Sequence, residues 1–408
     1  MTPIHPISAN HLVPASSEGQ QAPVSAGSGW PAAIAADRPS GILPRSSRGT
    51  IMPSGERRLR VGVVGATGYA GGELIRILAR HPNVEIVGLA GRDRRDEPIA
   101  RHHPHLSMTG LIVGTDLPET DAVFVALPHG AAAALVPSIV ASGSAVIDLG
   151  PDFRLRHATD YPRWYGFEHP RPDLLSLAVY GLPELHRPEL VALGEAATAI
   201  VGSPGCYPTA TILALAPLAR AGLIEDLVVD AKSGVSGAGR EVKPDLLFGE
   251  VDENVKAYSL GGHRHVAEME QELRRQGEVG RLPASANRGV GAIDFVPHLV
   301  PMVRGILATA HVRPPRPVSQ AELDMLYDEA YRDEPFVQVV MAPPGTKHTT
   351  GSNQVLVHVR LDEHSGRILA FGAEDNLVKG AAGQAVQSFN LIHGLPETAG
   401  LEQLPLAP

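Results

Sequence analysis

The chain has 408 residues, 43% of them hydrophobic and only 4% aromatic, with a formal net charge of −9. That length allows one large domain or two ordinary ones, with a core drawn mainly from Val, Leu, Ile and Ala. The negative balance argues against nucleic acid or an anionic membrane surface as the partner, the single cysteine excludes an intrachain disulfide framework and a Cys-rich zinc site, and no run reaches the roughly 18–20 apolar residues of a membrane span.

Residues 1–57 are rich in Pro, Ser, Ala and Gly and lack a sustained hydrophobic period. They read as a disordered extension. A transit peptide and a true start at Met52 are the alternatives. Folded sequence begins near Arg58. Leu59 to Val64 is a β run that enters Gly65-Ala66-Thr67-Gly68-Tyr69-Ala70-Gly71-Gly72, and a helix follows up to His81-Pro82. With a second strand at Val84 to Ala90, this is the start of a dinucleotide-binding βαβ unit. The glycines let backbone N–H groups and the helix start approach a pyrophosphate. Gly65, Thr67, Gly68, Tyr69 and Gly71 are therefore the expected cofactor contacts. An acidic residue at the end of the second strand would bind the ribose of NAD. This chain has Arg92 there, with Arg94 and Arg95 behind it. A guanidinium suits a 2′-phosphate, so NADP(H) is expected.

Strands at Ala122 to Leu127 and Ala145 to Leu149 end in polar residues, among them Asp152 and Arg154. Ligands in open parallel sheets sit at the carboxyl ends of strands, which makes Arg154 a candidate anion binder. His102, His103 and His105 tempt a metal reading, but their spacing offers no i, i+4 pair, and no metal is expected. The apolar run at Ala199 to Val201 leads into Gly202-Ser203-Pro204-Gly205-Cys206 and then into a helix. A cysteine delivered to a helix N-terminus meets unsatisfied N–H groups and a favourable dipole, which predicts a lowered thiol pKa and a nucleophile. The usual proton shuttle for such a cysteine is a histidine. His265, at a helix start, and His263, two residues back, are the candidates. Later strands come with few helices between them, which predicts an antiparallel-rich second domain. A Gly- and Ala-rich helix beginning near Asn376 returns to the first.

GSPGCYPTA around Cys206 is similar to the active-site signature of the N-acetyl-γ-glutamyl-phosphate reductases. GATGYAGGEL, DFRL at 152–155, YGLPEL at 180–185, SGVSGAGR at 233–240, HRHVAEMEQ at 263–271 and DNLVKGAAGQAVQ at 375–387 agree with it. Two departures are Gly150-Pro151, where that family has Ser and Ala, and Ala267, where it has proline. The resemblance spans residues 58–408. It implies an α/β fold: a Rossmann-like domain over 58–203, completed by 376–408, and an α+β catalytic and dimerisation domain over 204–375 with a mostly antiparallel sheet. It further implies NADPH-dependent reduction of an acyl phosphate through a Cys206 thioester, with His265 favoured as the acid–base group. Arg154 would receive the phosphate, Arg240 or Arg264 the substrate carboxylate, and Asn376 would border the nicotinamide. A cytoplasmic homodimer or homotetramer in arginine biosynthesis is expected. A reductase of the longer aminoadipyl analogue, another acyl-phosphate reductase and a non-catalytic NADP sensor are the rivals.

Overall fold

The computed structural model describes residues 57–91, 96–280 and 291–407. The leader and Arg92 lie outside the described residues. One sheet collects β1 (Leu59–Val64), β2 (Val84–Ala90), β3 (Glu97–Pro98), β4 (Ile112–Gly114), β5 (Ala122–Val125), β6 (Ala145–Asp148), β7 (Ala178–Tyr180) and β8 (Ile200–Gly202). Their order is β3-β4-β2-β1-β5-β6-β8-β7, and only the β3–β4 pair is antiparallel. Helices α1 (Tyr69–Leu78), α2 (Ala132–Ala141), α3 (Asp160–Tyr165) and α4 (Pro183–Leu193) fall between these strands. The strands are short and buried on both faces, as a helix-covered parallel sheet requires.

After β8 the chain enters α5 (Cys206–Arg220) and moves to a second sheet. It holds β9 (Asp226–Ser233), β10 (Lys256–Ala257), β11 (Asp294–Leu299), β12 (Ile306–Arg313), β13 (Val337–Val339), β14 (Val355–Asp362) and β15 (Arg367–Glu374), in the order β10-β11-β9-β12-β15-β14-β13. The central ladder from β9 through β12 and β15 to β14 is antiparallel. Helices α6 (Phe248–Val251), α7 (His265–Val279) and α8 (Gln320–Tyr331) belong to this half, and α9 (Gly383–Ile392) follows it.

Helix α5 is the common wall. It is buried almost throughout and shares a core with β9, β12, β14, β15, α7 and α8. A Cβ on Gly372 of β15 would lie 2.3 Å from the Ala210 carbonyl oxygen, so the strand can press on the helix only as glycine. Pro217 lies inside α5 and cannot donate to the carbonyl four residues back, at Leu213. Tyr331 of α8 supplies the missing donor, its hydroxyl bonding Leu213 O at 2.5 Å, and the Tyr327 hydroxyl bonds the next carbonyl, Ala214 O. Helix α9 packs instead into the first core, through Ala385, Val386 and Phe389 against Val61, Val63 and Phe124. Arg304 ties the halves together, donating to Glu73 of α1 at 3.0 Å and to Asp375 at 3.4 Å.

Candidate active site

The turn between β8 and α5 is built by close approach. A Cβ on Gly202 would meet the Phe153 carbonyl oxygen at 2.2 Å, and one on Gly205 would meet His265 Nε2 at 2.6 Å. Bare backbone at these two positions lets the 152–155 segment and the His265 ring close on the cysteine turn. Cys206 is the first residue of α5 and stays partly open to solvent. The lowered thiol pKa expected from the helix start is corrected here. The surrounding protein desolvates the sulfur and Glu374 adds a negative field, and together they push the thiol up to about 12. The Tyr207 N–H and the Arg154 charge pull the other way and are outweighed. At rest the group is therefore a neutral thiol that needs a base.

His265 opens α7 and is buried, its Nδ1 without a partner among the described residues. Burial, helped by the charges of His263, Arg264 and Arg154, holds it well below the usual imidazole range. It is a neutral base whose ring lies on the residue before the cysteine. His263 is placed differently. Its Nδ1 accepts the His265 backbone N–H at 3.2 Å, and its ring stands edge-on to Tyr207 and Tyr258 and beside Phe295. Burial takes it down to about 3. Both groups resist charging while the unfolded chain does not. Above about pH 6.5 neither state binds the extra protons, and below it the unfolded state takes them up and is favoured. Thermal stability is expected to fall as pH drops through 6, and His265→Gln should flatten part of that fall in unfolding scans.

Glu268 was not singled out in the sequence, and it organises the site. It is fully buried on the same face of α7 as His265, three residues on. Its Oε1 accepts from Arg154 Nη1 at 3.1 Å and Tyr165 OH at 3.2 Å. Its Oε2 accepts from Tyr180 OH and the Gly205 N–H, both at 2.9 Å. Arg154 also donates through Nε to Ser203 O at 2.6 Å and through Nη2 to Leu149 O at 2.8 Å. One carboxylate and one guanidinium thus hold the ends of β6 and β8 and the cysteine turn in fixed relation. The His-x-x-Glu spacing was the available signal.

Three further candidates remain, each placed differently. Arg240 Nη1 donates to Thr67 O at 3.1 Å and His102 O at 2.9 Å, with its guanidinium over the Tyr69 ring. It is therefore placed on the glycine turn. Arg264 is exposed and makes no hydrogen bond or ion pair among the described residues. Asn376 spends its amide on the Gly305 N–H at 2.8 Å and Ser236 Oγ at 2.9 Å.

The glycine turn fits a dinucleotide phosphate. Gly65 has φ +84, and a Cβ there would lie 2.2 Å from Ala126 O; one on Gly71 would lie 2.3 Å from Gly65 O. Helix α1 starts after Gly68 with no side-chain cap and no acidic residue in its first turn, which leaves its N–H groups for an anion. His103, one of the three clustered histidines, is buried beneath this turn. Its Nε2 bonds Ala66 O at 3.2 Å, and its ring fills the space above Gly72. Among the described residues no group of His, Cys, Asp and Glu could hold a metal ion.

Residues 60–193 match the semialdehyde dehydrogenase NAD-binding domain family and residues 206–376 the semialdehyde dehydrogenase dimerisation domain family. The first half is thus a nicotinamide-dinucleotide domain. An N-acetyl-gamma-glutamyl-phosphate reductase of Dehalococcoides mccartyi strain CBDB1 is 45% identical over 355 residues, covering 86% of this chain and all of that one. Namesakes from Symbiobacterium thermophilum and Thermus thermophilus are 47% and 46% identical, over 84% and 85% of this chain and 97% and 100% of theirs. The fold is similar to that of aspartate semialdehyde dehydrogenase II of Vibrio cholerae, with a TM-score of 0.60 at 19% identity over 83% of this chain and 98% of that one. It is also similar to the Candida albicans aspartate semialdehyde dehydrogenase solved with NADP, with a TM-score of 0.57 at 18% identity over 84% and 99%. Family domains in sequence, relatives matched along nearly their whole length and a cysteine turn braced by a carboxylate agree: the chain belongs to the N-acetyl-gamma-glutamyl-phosphate reductase family of semialdehyde dehydrogenases.

Proposed function

We propose that this chain reduces N-acetyl-γ-glutamyl phosphate to N-acetylglutamate 5-semialdehyde, with release of phosphate, as a step of arginine biosynthesis. The observation that carries the reading is a half-buried cysteine at a helix start with a neutral imidazole against the preceding residue. The names of the relatives favour the glutamyl substrate over the aminoadipyl analogue. Turnover on the two acyl phosphates decides: faster turnover of the longer one would refute the glutamyl reading.

Cys206 sulfur attacks the acyl carbon and its proton passes to His265 Nε2. The carbon–oxygen bond to phosphate breaks and the leaving oxygen keeps the electron pair. The resulting thioester is uncharged and accepts reduction more readily than an acyl phosphate. Bound dinucleotide supplies the hydride. His265 then returns its proton to the sulfur as the aldehyde departs. Arg154 is the cation at the phosphate end, since one N–H on each of Nη1 and Nη2 is left unspent. Arg264, exposed and uncommitted, takes the substrate carboxylate, and Arg240 serves the cofactor turn. Asn376 steadies the loop beside the nicotinamide. Replacing His265 by glutamine is expected to lower kcat by about 10²–10⁴-fold, the usual worth of a general acid–base group. A steady-state kcat within a few-fold of wild type would remove His265 from the mechanism.

NADP(H) is the proposed dinucleotide, on the argument from Arg92. Equal affinity for NADPH and NADH in a fluorescence titration would refute it. The outer face of the second sheet carries half-buried Val228, Leu307, Leu356, Leu369 and Phe371, while the inner face is covered by α5. A second copy covering that mixed face, where Lys232, His311 and His358 alternate with the apolar residues, makes the chain a homodimer or a pair of dimers, and a monomer in sedimentation equilibrium would refute this. A lone cysteine suits the reducing cytoplasm, and no described helix is long and apolar enough to cross a membrane.

A further inference from the structure

Glu374 ends β15 and is fully buried, yet neither carboxyl oxygen has a hydrogen-bond partner among the described residues. It lies beside the chemistry. A Cβ placed on Gly380 would sit 2.7 Å from Glu374 Oε1 and 2.8 Å from Cys206 Cβ, so the carboxyl and the Cys206 side chain both border that glycine, and the carboxyl's charge bears on the thiol. Gly380 belongs to a single π-type turn, Val378–Ala382, inserted ahead of α9. Such turns recur at functional sites. Lys379, on the same turn, does not answer the carboxyl. Its Nζ donates to Glu184 Oε1 at 2.5 Å and to Gln387 Oε1 at 2.6 Å.

The charged groups bearing on Glu374 are Lys379, Asp375 and Glu184. Those bearing on Cys206 are Glu374, Arg154 and Glu268. A buried carboxylate without a donor is very costly, whereas the protonated form is tolerated. Burial, opposed by Lys379 and aided by Asp375 and Glu184, holds Glu374 well above the usual carboxylate range.

We propose that Glu374 is a positioning residue for Cys206, a carboxyl whose proton decides when the sulfur can give up its own. The proposal rests on Cys206 being the nucleophile. With the proton on Glu374, the larger of the two opposing charges is gone and that of Glu268 is met by Arg154, and the thiol proton goes to His265 as the S–C bond forms and the C–O bond to phosphate breaks. With it lost, a carboxylate faces the sulfur and resists a second negative charge. The Glu374 proton stays on its own oxygen throughout turnover.

The test uses the full chain and iodoacetamide, which has a single cysteine to label. Alkylation rate and turnover are followed against pH in wild type, Glu374→Gln and Glu374→Met. Both variants remove the charge, so one suffices if the other does not fold. The alkylation profile is expected to move down by about one pH unit, which is about a tenfold faster reaction at a fixed alkaline pH. The alkaline fall in wild-type turnover should vanish with it. Glu374→Met should also melt at or above the wild-type temperature at neutral pH, because an unpaired buried group has been removed. A purely structural contact would leave the thiol profile unmoved. Superimposable alkylation profiles in whichever variant folds overturn the proposal. Wild-type protein that keeps its turnover after alkylation refutes the nucleophile itself, and that outcome is told apart because it needs no variant.

Discussion

Cys206→Ser is expected to bind dinucleotide as wild type does and to lose at least about 10⁴-fold in turnover, on the scale seen when a nucleophile is removed from an enzyme that works through one. The exchange replaces one atom at the first position of α5. Cys206 packs against the edge of the second core, but the exchange keeps the side chain's shape, so the fold should persist. The loss is chemical. A hydroxyl is a weaker nucleophile than a thiol, and the neutral imidazole of His265 must take its proton from a more basic oxygen. The thiol itself is already pushed up to about 12 by burial and Glu374, so the site has no ionised sulfur in reserve. Stopped-flow mixing of enzyme, acyl phosphate and reduced dinucleotide reads both quantities. A serine variant that turns over within tenfold of wild type would sink covalent catalysis.

Glu268→Ala should be the most damaging single change to the fold near the site, costing about 3–5 kcal/mol, the usual loss when one partner of a buried ion pair is removed. Four donors meet on this carboxylate, and all of them lose their acceptor together: Arg154 Nη1, Tyr165 OH, Tyr180 OH and the Gly205 N–H. The Arg154 guanidinium would stay buried with its charge unanswered. Gly205 precedes the cysteine, so turnover should fall beyond what the stability loss explains. Glu268→Gln keeps two acceptor lone pairs and the side-chain volume, and it should cost less. Urea unfolding of the three proteins provides the measurement. An alanine variant within about 1 kcal/mol of wild type, the worth of a single ordinary hydrogen bond, would show that the network carries little.

The local steps of the site were legible in the chain. A β-branched run and glycines fix β8, its turn and the start of α5 through backbone sterics alone, and the same holds for β1, the Gly65–Gly68 turn and α1. These signals are short-range, and each was found in the right place. The long-range contacts were not legible. Glu268 reaches Gly205 across 63 residues and Arg154 across 114, and no periodicity encodes such a meeting. Arg240 was grouped with the substrate, yet it crosses from the second half to Thr67 on the cofactor turn.

The thiol shows the division most clearly. The residue types predicted a lowered pKa, because a helix start is a local feature and its dipole acts on the residue it holds. The packed protein pushes the pKa upward instead, because burial strips the sulfur of water and the Glu374 field arrives from the end of β15, both only after the second sheet has closed on α5. The sequence by itself determined which residues stand at the ends of strands and the starts of helices, since those depend on φ, ψ and hydrophobic period. Tertiary structure alone decided which of them touch, how dry they are and which charges they feel, since burial and Coulomb fields belong to the packed molecule.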